Sequence, residues 1–138
     1  MQNASSSLNP SWSLARGFSA VIGLLLAIEG CWGLASPVVF GLLTTNTLHA
    51  SLHVMLGLVG LWAGFRSHAR GFLCFLGSLL ILVSVLWFAP PTQGLVAGLL
   101  NVNLSVAYVN LVLGALSLIV GITCTQRTSF DPFDGLTT

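Results

Sequence analysis

Lysine is absent from this 138-residue chain, and charge of either sign is scarce: four arginines and three acids make up 5% of the residues, where an ordinary soluble domain carries about 25%. With 55% hydrophobic residues and a mean hydropathy of +0.96, the composition excludes a soluble globule. A net charge of +1 provides no basic face for nucleic acid and no polybasic patch for an anionic lipid surface. Cysteine is sparse, and the spacing of Cys31, Cys74 and Cys124 fits no zinc or redox motif, so the three read as small packing residues. Paired carboxylates, a nucleophile elbow, a phosphate loop and a cysteine beside a base are all missing. Catalysis is therefore not expected.

What the chain does contain is apolar length. Four runs, at about 17–35, 47–65, 71–89 and 104–124, each approach the roughly 20 residues that a helix needs to cross a ~30 Å hydrocarbon layer. Ser36-Pro37 and Thr44-Thr45-Asn46 bound the first loop, because proline interrupts a helix and Thr and Asn favour caps and turns. Phe65 to Arg70 make a short charged turn containing His68, which reads as solvated. Pro90-Pro91 stop the third run and open an uncharged loop over 90–103, whose apolar Gly94 to Leu100 portion suits the membrane interface. The predicted architecture is an all-α integral membrane four-helix bundle occupying 15–125. A disordered lead over 1–14 precedes it, and a cytoplasmic tail over 126–138 follows, with a Phe130 to Gly135 segment that reads as a loosely held end.

Arg16, Arg66, Arg70 and Arg127 all fall on one side of a four-span topology, and the opposite loops carry no charge. The positive-inside rule makes that side cytoplasmic and puts both termini there, in a bacterial inner membrane or a thylakoid membrane. The chain also repeats itself. Ala15-Arg16-Gly17-Phe18 recurs as Ala69-Arg70-Gly71-Phe72, with Gly23 falling on Gly77 and Pro37 on Pro91. A shift of 57 residues places Gly41-Leu42-Leu43 on Gly98-Leu99-Leu100, Asn46 on Asn103, His53 on Asn110, Leu56-Gly57 on Leu113-Gly114 and Gly64 on Gly121. Two helical hairpins related by a pseudo-twofold along the membrane normal are expected.

The polar residues at membrane depth form the candidate site. His49 and His53 stand one helical turn apart, and Gly57, Gly60 and Gly64 continue on or beside the same face, which must meet protein. Glu29 lies eight residues before Pro37, about 12 Å along its helix, while His53 and Asn110 lie seven residues past Asn46 and Asn103, about 10 Å along theirs. An intramembrane carboxylate must be protonated or paired, and His53 is the expected partner, with Asn110 at the same level. Gly57, Gly60, Gly64, Gly114 and Gly121 are expected to permit close helix packing, inside the bundle rather than between copies.

The motif N-x-L-H-x-x-x-H ahead of a glycine-rich apolar helix, here Asn46, Leu48, His49, His53 and Gly57, then an arginine-bearing turn and a weaker second copy, resembles the small four-helix bacterial membrane proteins catalogued as domain of unknown function 4383. The resemblance runs over roughly 15–123 and implies the fold and a membrane location, with no activity. The second copy departs from the family pattern: Asn103 to Asn110 contains no histidine.

Two functional readings follow. The leading one is a small non-catalytic accessory or stabilising subunit of a larger membrane complex, its Glu29, His53 and Asn110 layer structural and His49 a capping residue near the interface. Its partners are the lipid bilayer and either another membrane protein or further copies of itself. The alternative is a cofactor-binding subunit in which His49 and His53 ligate haem, chlorophyll or a metal, with a Glu29-centred proton or solute pathway as a further variant. No cofactor is expected on the leading reading.

Overall fold

The computed structural model describes residues 10–124. Its elements are α1 (Pro10–Ala35), β1 (Val38–Val39), β2 (Leu43–Thr44), α2 (Thr47–Phe65), α3 (Ala69–Phe88), α4 (Pro90–Leu100) and α5 (Leu104–Thr123). The helices α1 from Leu14 onward, α2, α3 and α5 are long and apolar enough to cross a membrane, which supports a multi-pass membrane location. Their outward faces carry large apolar side chains along the full length of the spans, an exterior suited to hydrocarbon.

Three expectations change. The first helix begins at Pro10 rather than near 17, so residues 10–14 of the expected lead are helical; proline at the first helical position has no amide to lose and a φ already set for the helix. The expected 90–103 loop contains a fifth helix among the described residues, α4, for the same reason: Pro90 and Pro91 occupy its first two positions. The first loop is folded as well. Its β1 and β2 pair antiparallel, Val38 opposite Thr44 and Val39 opposite Leu43, around a turn in which Phe40 and Gly41 both have positive φ. The remainder of the lead, 1–9, and the tail from 126 on, with Arg127 and the Phe130 to Gly135 segment, lie outside the described residues.

α1 packs chiefly on α2, and α3 chiefly on α5, while α4 lies against α3. Each main contact is a near-touch of backbones. A Cβ on Gly57 would sit 2.5 Å from the Ala27 nitrogen and 2.7 Å from the Gly23 oxygen, and a Cβ on Gly77 would sit 2.7 Å from the Gly114 oxygen. Only glycine allows that approach. Gly60, Gly64 and Gly121 lie at the same contacts, against Phe72 and Gly23, against Ala20 and Arg16, and against Cys74 respectively. The largest apolar core, built on Ile22, Leu26, Phe72, Leu73, Leu76 and Leu80, joins the two pairs between α1 and α3. A second, of Val96, Val102, Val106 and Ala107, sits beneath α4.

Arginines close one end of each pair. Arg16 donates from Nε to the Gly64 carbonyl at 3.0 Å and from Nη2 to the Phe65 carbonyl at 3.1 Å, and Arg70 donates from Nε to the Gly121 carbonyl at 3.0 Å. Both guanidinium groups thus meet the carbonyl-rich, partly negative end of the neighbouring helix.

Candidate functional site

The site begins at the start of α2. Asn46 is its N-cap, with extended backbone and a side-chain oxygen that accepts from the His49 amide at 2.9 Å. The cap fixes the first turn and so aims His49 and, one turn on, His53, into the bundle; they are 4% and 5% exposed. The rings meet nearly edge to face, with centroids 4.3 Å apart, and their Nε2 atoms lie 3.0 Å apart in a hydrogen bond. His53 Nδ1 lies 3.3 Å from Oε2 of Glu29 on α1, whose side chain is 16% exposed. His49 Nδ1 lies 2.9 Å from the carbonyl oxygen of Leu100, at the end of α4. A continuous polar chain therefore runs Glu29, His53, His49, Leu100 across α1, α2 and α4.

Donor and acceptor rules fix its protons. The Leu100 carbonyl can only accept, so His49 carries a hydrogen on Nδ1. The two Nε2 atoms share one more. Bare lone pairs of His53 Nδ1 and Glu29 would repel across 3.3 Å, so a third proton sits between them. Three protons on one glutamate and two histidines make the chain electrically neutral whichever group holds them. That neutrality reconciles a glutamate and two histidines with burial at membrane depth.

Several expected participants stand elsewhere. Asn110 is buried on α5, but its side chain makes no hydrogen bond with Glu29 or His53, so it is not their partner; the third member of the chain is His49. His49 is in turn no interfacial cap, since Asn46 caps α2 and the His49 ring is buried. His68 is exposed and stacks on Trp62, with centroids 5.2 Å apart at 17°. Among the described residues no group of three or more His, Cys, Asp or Glu is placed to hold a metal ion. Glu29 faces the opposite nitrogen of His53 from the one that faces His49, so the three side chains do not converge on one point.

The residues that sequence reasoning missed lie at the end of α4 and in the short link from it to α5. Leu99 and Leu100 contribute backbone carbonyls, the first accepting from Asn46 Nδ2 at 2.9 Å. Asn101, in the left-handed region at φ 53°, donates from Nδ2 to the Thr45 carbonyl at 2.9 Å, and its own carbonyl accepts from Thr44 Oγ1 at 2.6 Å. Asn103, the N-cap of α5, donates to the Leu42 carbonyl at 2.9 Å. The positive-φ asparagine following an apolar run was the available signal, since Asn tolerates that conformation at a helix C-terminus.

A family model for a domain of unknown function, number 4383, matches residues 36–123, which takes in the histidine pair and the end of α4 but leaves Glu29 outside the match. No curated protein and no solved structure matches the chain. With its Asn46, His49 and His53 signature inside a match that covers most of its length, the chain belongs to the family of domain of unknown function 4383.

Proposed function

We propose that the protein is a non-catalytic membrane component, an accessory or stabilising subunit of a larger assembly, in which the Glu29, His53 and His49 chain is a structural fixture. The observation that carries this reading is the closure of the chain. Each ring nitrogen has a polar partner within the protein, one end terminates on a backbone carbonyl, and both rings are buried. The cavities lined by Trp62 and Phe75, by Ser36 and Asn46, and by Tyr108 and Val112 are walled by residues other than these two histidines. A reaction centre needs an unspent group and a place for substrate.

The wider architecture belongs to the same proposal. Two helical hairpins related by a pseudo-twofold account for devices that occur in matched pairs: Arg16 on Gly64 and Arg70 on Gly121, Gly23 against Gly57 and Gly77 against Gly114, Asn46 on Leu99 and Asn103 on Leu42. The loops differ between the halves, a β-hairpin in one and α4 in the other. In a bacterial inner membrane or thylakoid membrane, the arginine-bearing end faces the cytoplasm.

One observation favours a second reading, a histidine-bound metal or cofactor. Both Nδ1 atoms are held by oxygen partners while both Nε2 atoms face each other, the orientation that outer-sphere carboxylates and carbonyls impose on metal-bound imidazoles. Absorption and elemental analysis of gently purified protein separate the two. The structural reading expects no Soret band, no chlorophyll absorption and no stoichiometric metal, and expects the His49→Gln, His53→Gln double variant to accumulate and to co-purify with the same membrane proteins. Stoichiometric haem, pigment or metal that disappears with the histidines would overturn it.

A further inference from the structure

At the arginine-bearing end, a cavity of about 560 Å³ opens on the side of the bundle between α2 and α3. Its walls divide by polarity along the helix axes. Val59, Trp62 and Phe75, on the membrane side, are about half exposed, with Trp62 at 53% and Phe75 at 58%. Ser67, His68 and Arg70 line the mouth, at the level of the turn that joins the two helices. None of the three has an acceptor for all its donors among the described residues. Among the described residues, Arg70 spends Nε on the Gly121 carbonyl and keeps its remaining N–H groups, while the Ser67 hydroxyl and the His68 ring make no hydrogen bond. The stack on Trp62 holds the His68 ring at the mouth. Glu29, the one acid among the described residues, lies thirteen residues from Arg16 along α1, about 20 Å away from this end.

We propose that this cavity is a binding site for one anionic phospholipid of the leaflet at the arginine-bearing end. The phosphodiester sits at the mouth, where Arg70, His68 and Ser67 supply charged and neutral donors, and an acyl chain lies along Val59, Trp62 and Phe75. A soluble anion would leave the half-exposed apolar wall uncovered, and an apolar molecule alone would make no use of the arginine and the two neutral donors at the mouth. A phospholipid satisfies both, and an anionic one balances the arginine. The selectivity comes from one pocket with fixed donors, in a chain too poor in charge for diffuse attraction to a membrane surface.

The test is native mass spectrometry of the full chain in mild detergent, titrated with equal amounts of dioleoyl phosphatidylglycerol and dioleoyl phosphatidylcholine. Both lipids present the same phosphodiester, but only phosphatidylglycerol keeps a net charge opposite the arginine, and one phosphatidylglycerol should be retained about tenfold more strongly. The Ser67→Ala, His68→Ala double variant removes the donors that hold the phosphodiester beside Arg70 and costs the protein only the exposed stack of His68 on Trp62, so it should bring the two lipids towards parity. Arg66→Gln, on the same turn but outside the cavity, should leave the preference intact, and millimolar inorganic phosphate should not displace the lipid. Equal retention by the wild type, or loss of the preference in Arg66→Gln as large as in the double variant, would overturn the site. Displacement by phosphate would show a soluble-anion site instead and also overturn it.

Discussion

At the scale of single residues, the neutral proton count of the buried chain makes specific demands on substitutions. Glutamine at position 29 can donate an amide hydrogen to His53 Nδ1 and keep the chain intact, whereas alanine leaves that nitrogen facing nothing. Glu29→Gln should therefore cost less than 1 kcal/mol, and Glu29→Ala about 1–3 kcal/mol, in thermal or denaturant unfolding in detergent. Glu29→Ala and His53→Ala should couple by about 0.5–3 kcal/mol, and additive losses would mean that the 3.3 Å contact contributes nothing. Glycines supply an internal contrast. Gly57→Ala or Gly77→Ala must push two backbones apart and should destabilise by about 1–3 kcal/mol, while Gly71→Ala, with nothing within 4 Å of its added carbon, should be neutral or slightly stabilising. Counting residues from the helix ends put Glu29 and His53 at one depth, and they lie 3.3 Å apart. The same counting put Asn110 at that depth, but depth says nothing about which side of the bundle a residue faces. The placing of His49 beside His53 was legible from their spacing, but its bond to Leu100 was not, because a backbone carbonyl has no signature in sequence.

At the scale of elements, an ambiguity of proline explains why 90–103 reads as a loop in the sequence, while the polar, serine-rich composition ahead of Leu14 explains the late start given to the first helix. Proline ends a helix when it enters the interior and begins one when it stands at the first position, and Pro10 and Pro90 are both beginnings. The apolar character of 94–100 was legible; its helical form was not, because eleven residues are too few for a periodic pattern to outweigh two prolines. The hairpin escaped for a similar reason, its strands being two residues each. Once formed, α4 hangs on its packing against α3 and on its terminal carbonyls. Asn46 holds Leu99 and His49 holds Leu100, so α2 supplies polar ties for a helix it barely touches otherwise. Replacing both by alanine should raise hydrogen exchange at the α4 amides by at least about tenfold while α3 and α5 keep their protection. Uniform acceleration across the bundle would mean that α4 has no independent opening and that these bonds support the whole fold.

At the scale of the whole molecule, the two helix pairs share their ends but not their middles. Under the proposed repeat, the positions of Glu29, His49 and His53 correspond to Val83, Val106 and Asn110, and Val83 and Val106 belong to the apolar cluster beneath α4. One half thus carries a glutamate and two histidines where the other carries two valines and an asparagine, and the bundle is asymmetric in the direction across the membrane plane. Along the membrane normal the asymmetry is one of charge. Arg16, Arg66 and Arg70 gather at one end, and the loops at the other carry none. Long-lived orientation should follow from those few charges, since no other loop charge competes. Reporter fusions at Ser6 and Thr128 should give cytoplasmic signals and a fusion between Pro90 and Gly98 the opposite one. A stronger test moves the charge. With Arg66→Gln and Arg70→Gln combined with Gln93→Lys and Gly94→Lys, the bias is removed from one side and placed on the other, so a mixed or inverted population should appear in the same fusions. Gly94 has open space around it, and Gln93 and Gly94 lie in the second turn of α4, so the added lysines need not disturb packing. An unchanged orientation in that variant would show that the arginines do not set the topology, and a cytoplasmic signal from the Pro90 to Gly98 fusion in the wild type would reverse the assignment of both ends.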